Sequence, residues 1–333
     1  VTPYLEIGGD YREILPGTCL VELPLPFSLG LINVYLVRLA GGWLLVDCGM
    51  DTPACLEALE RGLEGLEIGW ADIRTVLLTH FHPDHMGLAE KVKERSGARV
   101  WLHHRDELQL RHICDSASFP FWQAGVLRSA GVPAVTTSAI ASSMAEVQRS
   151  FRLLAPDVRL SGGEHIESAH GALEVVWTPG HSAGHVCLYS PAQRFLATGD
   201  HVLEHISPNI GWDPERDALG EYLDSLETVA QLDVNLLLPS HGSPFSGHQE
   251  WVARTRRHHE GRCGEITTAL GKGQRNAHEV VGALWTRELS PFHYRFAVFE
   301  VLAHLEYLRR RGRVEAAEED GVLYWRRVPA DEP

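Results

Sequence analysis

Apolar positions fall into short runs in the first quarter of the chain and into longer periodic stretches near its end. Val34-Tyr35-Leu36-Val37 and Trp43-Leu44-Leu45-Val46, separated by Gly41-Gly42, predict two adjacent strands joined by a turn. Residues 52–66 have the spacing of an amphipathic helix. Thr75-Val76-Leu77-Leu78-Thr79 is the continuous run of a buried strand, Leu88 to Ser96 is helical again, and Arg99-Val100-Trp101-Leu102 predicts a further strand. Strand signals return at 172–177, 186–190, 194–198 and 235–238, with a helix at about 218–231. The interruption, residues 103–154, is helical but irregular, with Phe119-Pro120-Phe121-Trp122 in its middle and a Ser/Ala/Thr-rich stretch at 135–143. An insertion this long between core strands predicts a helical cap rather than a connector. After Gly242 the texture changes to three helical stretches, Glu250 to Leu270, His278 to Trp285 and Pro291 to Arg310. A two-strand hairpin with an acidic turn at Glu318-Glu319-Asp320-Gly321 follows. That order predicts a winged-helix-like module at 249–333 behind an α/β catalytic domain at 1–248 that carries the cap. Apolar tail positions such as Phe296, Val298, Phe299, Val301 and Leu302 are candidates either for internal packing or for a homodimer face.

Composition narrows the class. With 333 residues, 44% of them hydrophobic, the chain can bury a large core and a smaller second unit. The formal charge of −14 excludes a globally basic nucleic-acid binder. Residues 251–333 carry fourteen Lys/Arg against twelve Asp/Glu, a balance of +2 that leaves −16 on residues 1–250. Val1 to Asp10 offers no basic flank with an apolar core, and no stretch reaches the roughly 18 apolar residues of a membrane span, so the expected compartment is the cytoplasm, without a membrane partner. Six cysteines at 19, 48, 55, 114, 187 and 263 form no CxxC pair and are expected to be free thiols.

The chemistry is concentrated in His80-Phe81-His82-Pro83-Asp84-His85. His80 and His82, two apart in an extended segment, can face one side, and Asp84 and His85 fall where Pro83 starts a helix and can aim at a second point nearby. Three later apolar runs end in further donors: 175–180 leads to His181, 195–199 to Asp200, and 236–240 to His241. Five imidazoles and two carboxylates delivered from strand ends suit two divalent cations. Zinc is the expected metal for an imidazole-dominated set, with iron or manganese as alternatives. His103-His104 and His258-His259 are expected to be solvated helix residues.

These motifs resemble the metallo-β-lactamase superfamily, whose HxHxDH signature stands at 80–85. The resemblance extends to Asp47 in Val46-Asp47-Cys48-Gly49, the TPGHSxGH stretch at 178–185, Gly199-Asp200 and Ser240-His241-Gly242. The resemblance implies an αββα sandwich with the metals at one edge. It further implies that His80, His82 and His181 hold one metal, that Asp84, His85 and His241 hold the other, and that Asp200 bridges them. Asp84 and Asp200 are the expected catalytic carboxylates, Asp47 and His185 supporting residues that orient the ligands. His201 or His205 could reach substrate, as could Phe121 and Trp122 of the cap.

A catalytic sandwich with such a tail also resembles the lactamase-beta-2-like branch, which includes endoribonucleases, and the TPGHSxGH stretch is similar to that of glyoxalase II, a thioesterase. The expected reaction is hydrolysis by a metal-bridging hydroxide of a small-molecule carboxylic ester, thioester or lactone. An endoribonuclease or phosphodiesterase, with RNA as partner and the arginines at 309, 310, 311, 313, 326 and 327 as its contacts, is the alternative. β-Lactam hydrolysis is a further alternative, made less favoured by a second-metal set without cysteine.

Overall fold

The structure is a computed structural model that describes residues 10–27, 29–115 and 117–329. In chain order the elements are β1 (Tyr11–Leu15), β2 (Thr18–Pro24), β3 (Leu31–Leu39), β4 (Gly42–Val46), α1 (Pro53–Gly65), β5 (Ile73–Leu77), α2 (Pro83–Met86), α3 (Ala89–Ser96) and β6 (Arg99–His103). The insertion supplies α4 (His104–Cys114), α5 (Phe119–Ser129) and α6 (Ala134–Ser150). Then come β7 (Val158–Leu160), β8 (His165–Ser168), β9 (Gly171–Trp177), β10 (Val186–Ser190), β11 (Phe195–Gly199), α7 (Ala218–Ala230) and β12 (Leu236–Pro239). The tail holds α8 (His248–Leu270), β13 (Gln274–Asn276), α9 (Ala277–Leu284), α10 (Pro291–Arg310), β14 (Val314–Glu319) and β15 (Val322–Arg327).

Contacts divide the described residues into two compact units. One comprises the chain through Arg111 together with Ser150–Pro208 and Gln231–His248; the other comprises His112–Arg149, Asn209–Ala230 and the chain from Gln249 onward. In the first unit β1 to β7 form one run of paired strands and β8 to β12 another, joined only through the pair Leu39 and Ser168. Alternate residues explain why the two runs pack face to face. Tyr35, Val37, Leu44, Val46 and Leu77 meet Leu173, Val175, Val186, Leu188, Phe195, Ala197 and Leu238 in one buried cluster, each set spaced two apart along its strand. Leu36, Leu45 and Val76, on the opposite pleat, are also buried, and α1 and α3 pack against this run of strands. Strand direction positions the site. β4 and β5 run parallel, β11 and β12 run parallel, and β10 is antiparallel to both β9 and β11. The carboxyl ends of β9, β11 and β12 therefore emerge on one edge.

Within the second unit, β13, β15 and β14 form an antiparallel sheet in that order. Asn276 caps α9 and exchanges hydrogen bonds with Glu279, and Ser290 caps α10 ahead of Pro291. Val298, Phe299, Val301 and Leu302 are buried, so this stripe of α10 is consumed by packing inside the unit. Two sequence expectations fail here. His103 and His259 are not solvated, at 1% and 4% exposed: His103 stacks on Trp177 in the first unit, and His259 contacts His304 and Tyr222 in the second. Among the described residues no helix is long and apolar enough to cross a membrane, and none of the six cysteines forms a disulfide.

Candidate metal centre

His80 and His82 leave the end of β5 in extended backbone, and His82 is the N-cap of α2, whose first residue is Pro83. That change of direction aims the donors at two places. His80 Nε2 lies 2.9 Å from His82 Nδ1, which lies 3.1 Å from His181 Nε2 in the loop after β9. Asp84 Oδ2 lies 3.4 Å from His241 Nε2 and 3.8 Å from His85 Nε2. Asp200, directly after β11, stands between the two groups. Its Oδ1 is 3.4 Å from His85 Nε2 and 3.5 Å from His241 Nε2, and its Oδ2 is 3.7 Å from His181 Nε2. Two ligands of one tetrahedral ion with bonds near 2.0–2.1 Å stand about 3.3 Å apart, and the separations of 2.9–3.8 Å found here fall on either side of that value. Among the described residues three triads have donor atoms mutually within 4.8 Å: His80, His82 and His181; His80, His85 and Asp200; and Asp84, His85 and His241.

Burial tests whether the set fits a cation. His85 Nε2, Asp200 Oδ1 and His241 Nε2 are buried with no hydrogen bond. Such atoms carry a desolvation cost unless something replaces water, and lone pairs converging from two imidazoles and a carboxylate are satisfied by a divalent cation. The other ring nitrogens are already used, which fixes which nitrogen faces inward. His85 Nδ1 is 2.8 Å from Asp47 Oδ2, and His241 Nδ1 is 2.9 Å from the Leu31 carbonyl. Asp47 also accepts from the Thr79 backbone N–H and hydroxyl, both at 2.8 Å. It holds this position at φ 58, in the left-handed region.

Electrostatics divide the two groups. Burial, reinforced by neighbouring imidazoles, pushes His80 well below its ordinary value and His82 down to about 3, so these rings keep their lone pairs. Burial opposes charge at His85 and His241 as well. There the facing Asp200, with Asp47 and Asp84 at His85 and Asp84 at His241, outweighs it and raises both. Asp200 and Asp84 are correspondingly lowered by those imidazoles against the opposing effect of burial.

His185 contributes no free donor. Its Nδ1 is 2.8 Å from the Thr178 hydroxyl and its Nε2 accepts from the Asp200 backbone N–H at 3.2 Å, so it sets the backbone that presents Asp200. His205 lies outside the cluster, its side chain 78% exposed and paired with Glu204 at 3.1 Å. His201 is buried 5.8 Å from the His185 ring. Phe121 and Trp122 belong to the second unit. There Trp122 packs on Phe119, His112 and Phe299, and Phe121 is exposed.

One residue of the site escaped sequence reasoning. Asp106, fully buried in the first turn of α4, accepts from the Phe81 backbone N–H, the Ser182 hydroxyl and the Gly184 backbone N–H. It therefore ties the loop of His80 and His82 to the loop of His181. Gly184 permits this contact, since a Cβ there would stand 2.7 Å from the Asp106 backbone nitrogen. Gln109 adds a bond to the Ala183 N–H at 3.0 Å.

Two face-packed sheets with histidines and carboxylates gathered behind four strands define a metal-binding hydrolase of the metallo-β-lactamase fold. The chain belongs to the metallo-beta-lactamase superfamily: residues 28–241 match that family, and residues 263–328 match the metallo-beta-lactamase-like C-terminal domain. It is 27% identical to the probable metallo-hydrolase YqjP of Bacillus subtilis, over 92% of this chain and 96% of that one. A crystal structure of a metallo-beta-lactamase family protein from Thermus thermophilus superposes with a TM-score of 0.81 at 31% identity, covering 95% of this chain and all of that one. The thioesterase pkgB of Emericella nidulans is 26% identical over 75% of this chain and 60% of its own length.

Proposed function

We propose that the protein is a binuclear metal-dependent hydrolase of carboxylic esters, thioesters or lactones. The observation that carries this reading is Asp200, with one carboxylate oxygen toward His85 and His241 and the other toward His181. In this reading His80, His82 and His181 would hold one cation and Asp84, His85 and His241 the second, with Asp200 placed to serve both. Bound there, a pair of divalent cations would supply a water of lowered pKa and Lewis-acid polarisation of the carbonyl under attack. The chain's own contribution is orientation: Asp47 and Leu31 fix the inward nitrogens of His85 and His241, His185 fixes the Asp200 backbone, and Asp106 holds two ligand loops together. Zinc suits five imidazoles and two carboxylates without a thiolate. Cys48 is turned away from the centre, its thiol donating to the His85 carbonyl at 3.1 Å. Carbonyl chemistry is favoured by the relative named a thioesterase and by the state of the tail arginines. Arg309 and Arg310 share Glu306, Arg311 pairs with Asp217 and Arg326 with Glu315, so four of the six tail arginines already meet carboxylates and are less free for a phosphate backbone.

The functional division proposed is a catalytic region 1–248, carrying all seven donors, and a C-terminal region 249–333 whose helix-strand-helix-helix-hairpin order is that of a winged helix. Six cysteines that form no disulfide accord with a reducing compartment such as the cytoplasm. The test is metal analysis followed by turnover of thioesters, lactones, aryl esters, β-lactams, phosphodiesters and RNA, with Asp84→Ala as blank. Two equivalents of metal and metal-dependent ester, thioester or lactone cleavage that the variant loses are expected. Full metal content and turnover in Asp84→Ala, or cleavage confined to phosphodiesters, would overturn the proposal.

A further inference from the structure

A cavity of about 290 Å³ lies in the second unit, where α6 meets α9 and the turn from α9 into α10. Its size is near the small end of ligand pockets, about 300 Å³, and gives room for about ten water-sized groups at ~30 Å³ each. Buried Val281 and half-buried Trp285, Leu289 and Tyr294 line its apolar part. Arg262 covers one face of the Trp285 ring at 4.9 Å from the centroid, and Trp285 still lines the cavity. The Tyr294 hydroxyl contacts His278 Nδ1, so the polar atoms of that wall are engaged with each other. Arg287 and Glu288, adjacent and exposed, line the same cavity. Among the described residues neither side chain makes an ion pair or hydrogen bond, with the other or elsewhere. Gly282 of α9 also lines the space, and a Cβ there would meet nothing within 4 Å. Glycine is a poor helix former, and here neither a left-handed backbone nor close packing calls for it, so its effect is to keep the cavity open.

We propose that this cavity binds a free amino acid with an apolar side chain, of the leucine or phenylalanine type. Arg287 would take the carboxylate, Glu288 the ammonium, and the side chain would enter against Val281, Trp285, Leu289 and Tyr294. Unlike charges side by side match a zwitterion: a simple anion would meet Glu288 as well as Arg287, and a simple cation the reverse. Unpaired arginines are ordinary on a surface, and among the described residues Arg275 and Arg327 of this unit have no carboxylate partner either. Arg287 differs in lining a cavity beside an equally unpaired carboxylate. The site is independent of the hydrolytic reading, since none of these residues belongs to the donor set.

Calorimetric titration of the full-length, metal-loaded protein tests the proposal with three probes: phenylalanine, phenylpropionate, which lacks the ammonium, and phenethylamine, which lacks the carboxylate. The variants are Arg287→Gln, Glu288→Gln and Gly282→Leu. Arg287 and Glu288 are exposed, so their exchange leaves packing intact, and leucine is a better helix former than glycine. Any amino acid held at the metal centre persists in all three variants, so the signal of interest is the component they remove. Phenylalanine is expected to bind the wild type about three- to tenfold more tightly than either analogue, a modest factor because both charged groups are screened by solvent. Arg287→Gln should weaken phenylalanine and phenylpropionate by about that factor without weakening phenethylamine. Glu288→Gln should weaken phenylalanine and phenethylamine without weakening phenylpropionate, and Gly282→Leu should abolish the component at an unreduced melting temperature. Absence of a phenylalanine component sensitive to these variants, or an analogue that binds as tightly as phenylalanine, would overturn the proposal. Should Gly282→Leu lose stability, the two charge exchanges decide: phenylalanine binding equal to wild type in both refutes the site.

Discussion

Replacing Asp106 by asparagine should weaken metal binding although Asp106 is not itself a ligand. The carboxylate accepts the Phe81 N–H and the Ser182 hydroxyl on Oδ2, at 3.2 and 2.8 Å, and the Gly184 N–H on Oδ1. An amide has one acceptor oxygen. If that oxygen takes the Oδ2 position, its NH2 faces the Gly184 N–H; if it takes the Oδ1 position, its NH2 faces the Phe81 N–H. Ser182 can rotate to accept, but either orientation leaves one buried backbone donor unsatisfied and removes the charge that strengthened the others. A buried unsatisfied donor costs about 1–3 kcal/mol and hydrogen bonds to an ionised group are worth about 1.5–3 each, so a net loss of about 2–4 kcal/mol in stability is expected. The coupling to function follows from position: Phe81 lies between His80 and His82, and Ser182 follows His181. Loosening this junction would spread the three imidazoles of His80, His82 and His181, and zinc affinity should fall by about 10–100-fold, as it does when other outer supports of metal ligands are removed. Urea denaturation gives the stability and competition with a chelator gives the affinity. An Asp106→Asn protein that loses stability but binds zinc as tightly as wild type would refute the link between the two loops, and unchanged values of both would refute the hydrogen-bond reasoning itself.

Three other perturbations probe different parts of the structure. Gly199→Ala places a Cβ 2.6 Å from His185 Nε2 and 2.8 Å from Thr79 at a residue with φ +49, so melting temperature and metal content should both fall, and retention of wild-type metal content would contradict the tight packing behind Asp200. Asp47→Asn cannot serve the Thr79 N–H, the Thr79 hydroxyl and His85 Nδ1 as the carboxylate does, and should lower metal affinity by about 10–100-fold in the same competition assay. In the second unit, burial holds His259 down at about 3 and His304 at about 4, against an ordinary value of 6.5. The unfolded chain therefore binds more protons between these limits. The stability this neutral pair allows is fully present above about pH 6.5 and is lost as pH falls toward 4. Melting temperatures measured across that range should drop less steeply in a His259→Phe, His304→Leu double variant, and parallel curves would refute the assignment.

The donor set could be read in the sequence because metal ligation demands particular residue types at short spacing, and because each donor follows an apolar run that reads as a strand. Asp106 could not be read that way. An acidic residue in the first turn of a helix is ordinary, favoured there by the helix dipole whether or not it does anything else. The groups that reveal its role lie 25, 76 and 78 residues away. β13 was illegible for a different reason: Gln274-Arg275-Asn276 has no apolar alternation, and it is a strand only through backbone pairing with Arg326, Trp325 and Tyr324. His259 is the instructive case, since its residue type and its position argue opposite ways. Histidines in a long polar helix read as solvated, yet Val252, Thr255, His259, Cys263, Ile266 and Leu270 recur every three or four residues along α8, and all are buried. Read by periodicity alone, His259 falls on the inward stripe. Position outweighs type there because the other members of the stripe bury apolar surface that one neutral imidazole does not undo. The contact of its Nδ1 with His304 Nε2 at 3.2 Å meets part of the polar cost.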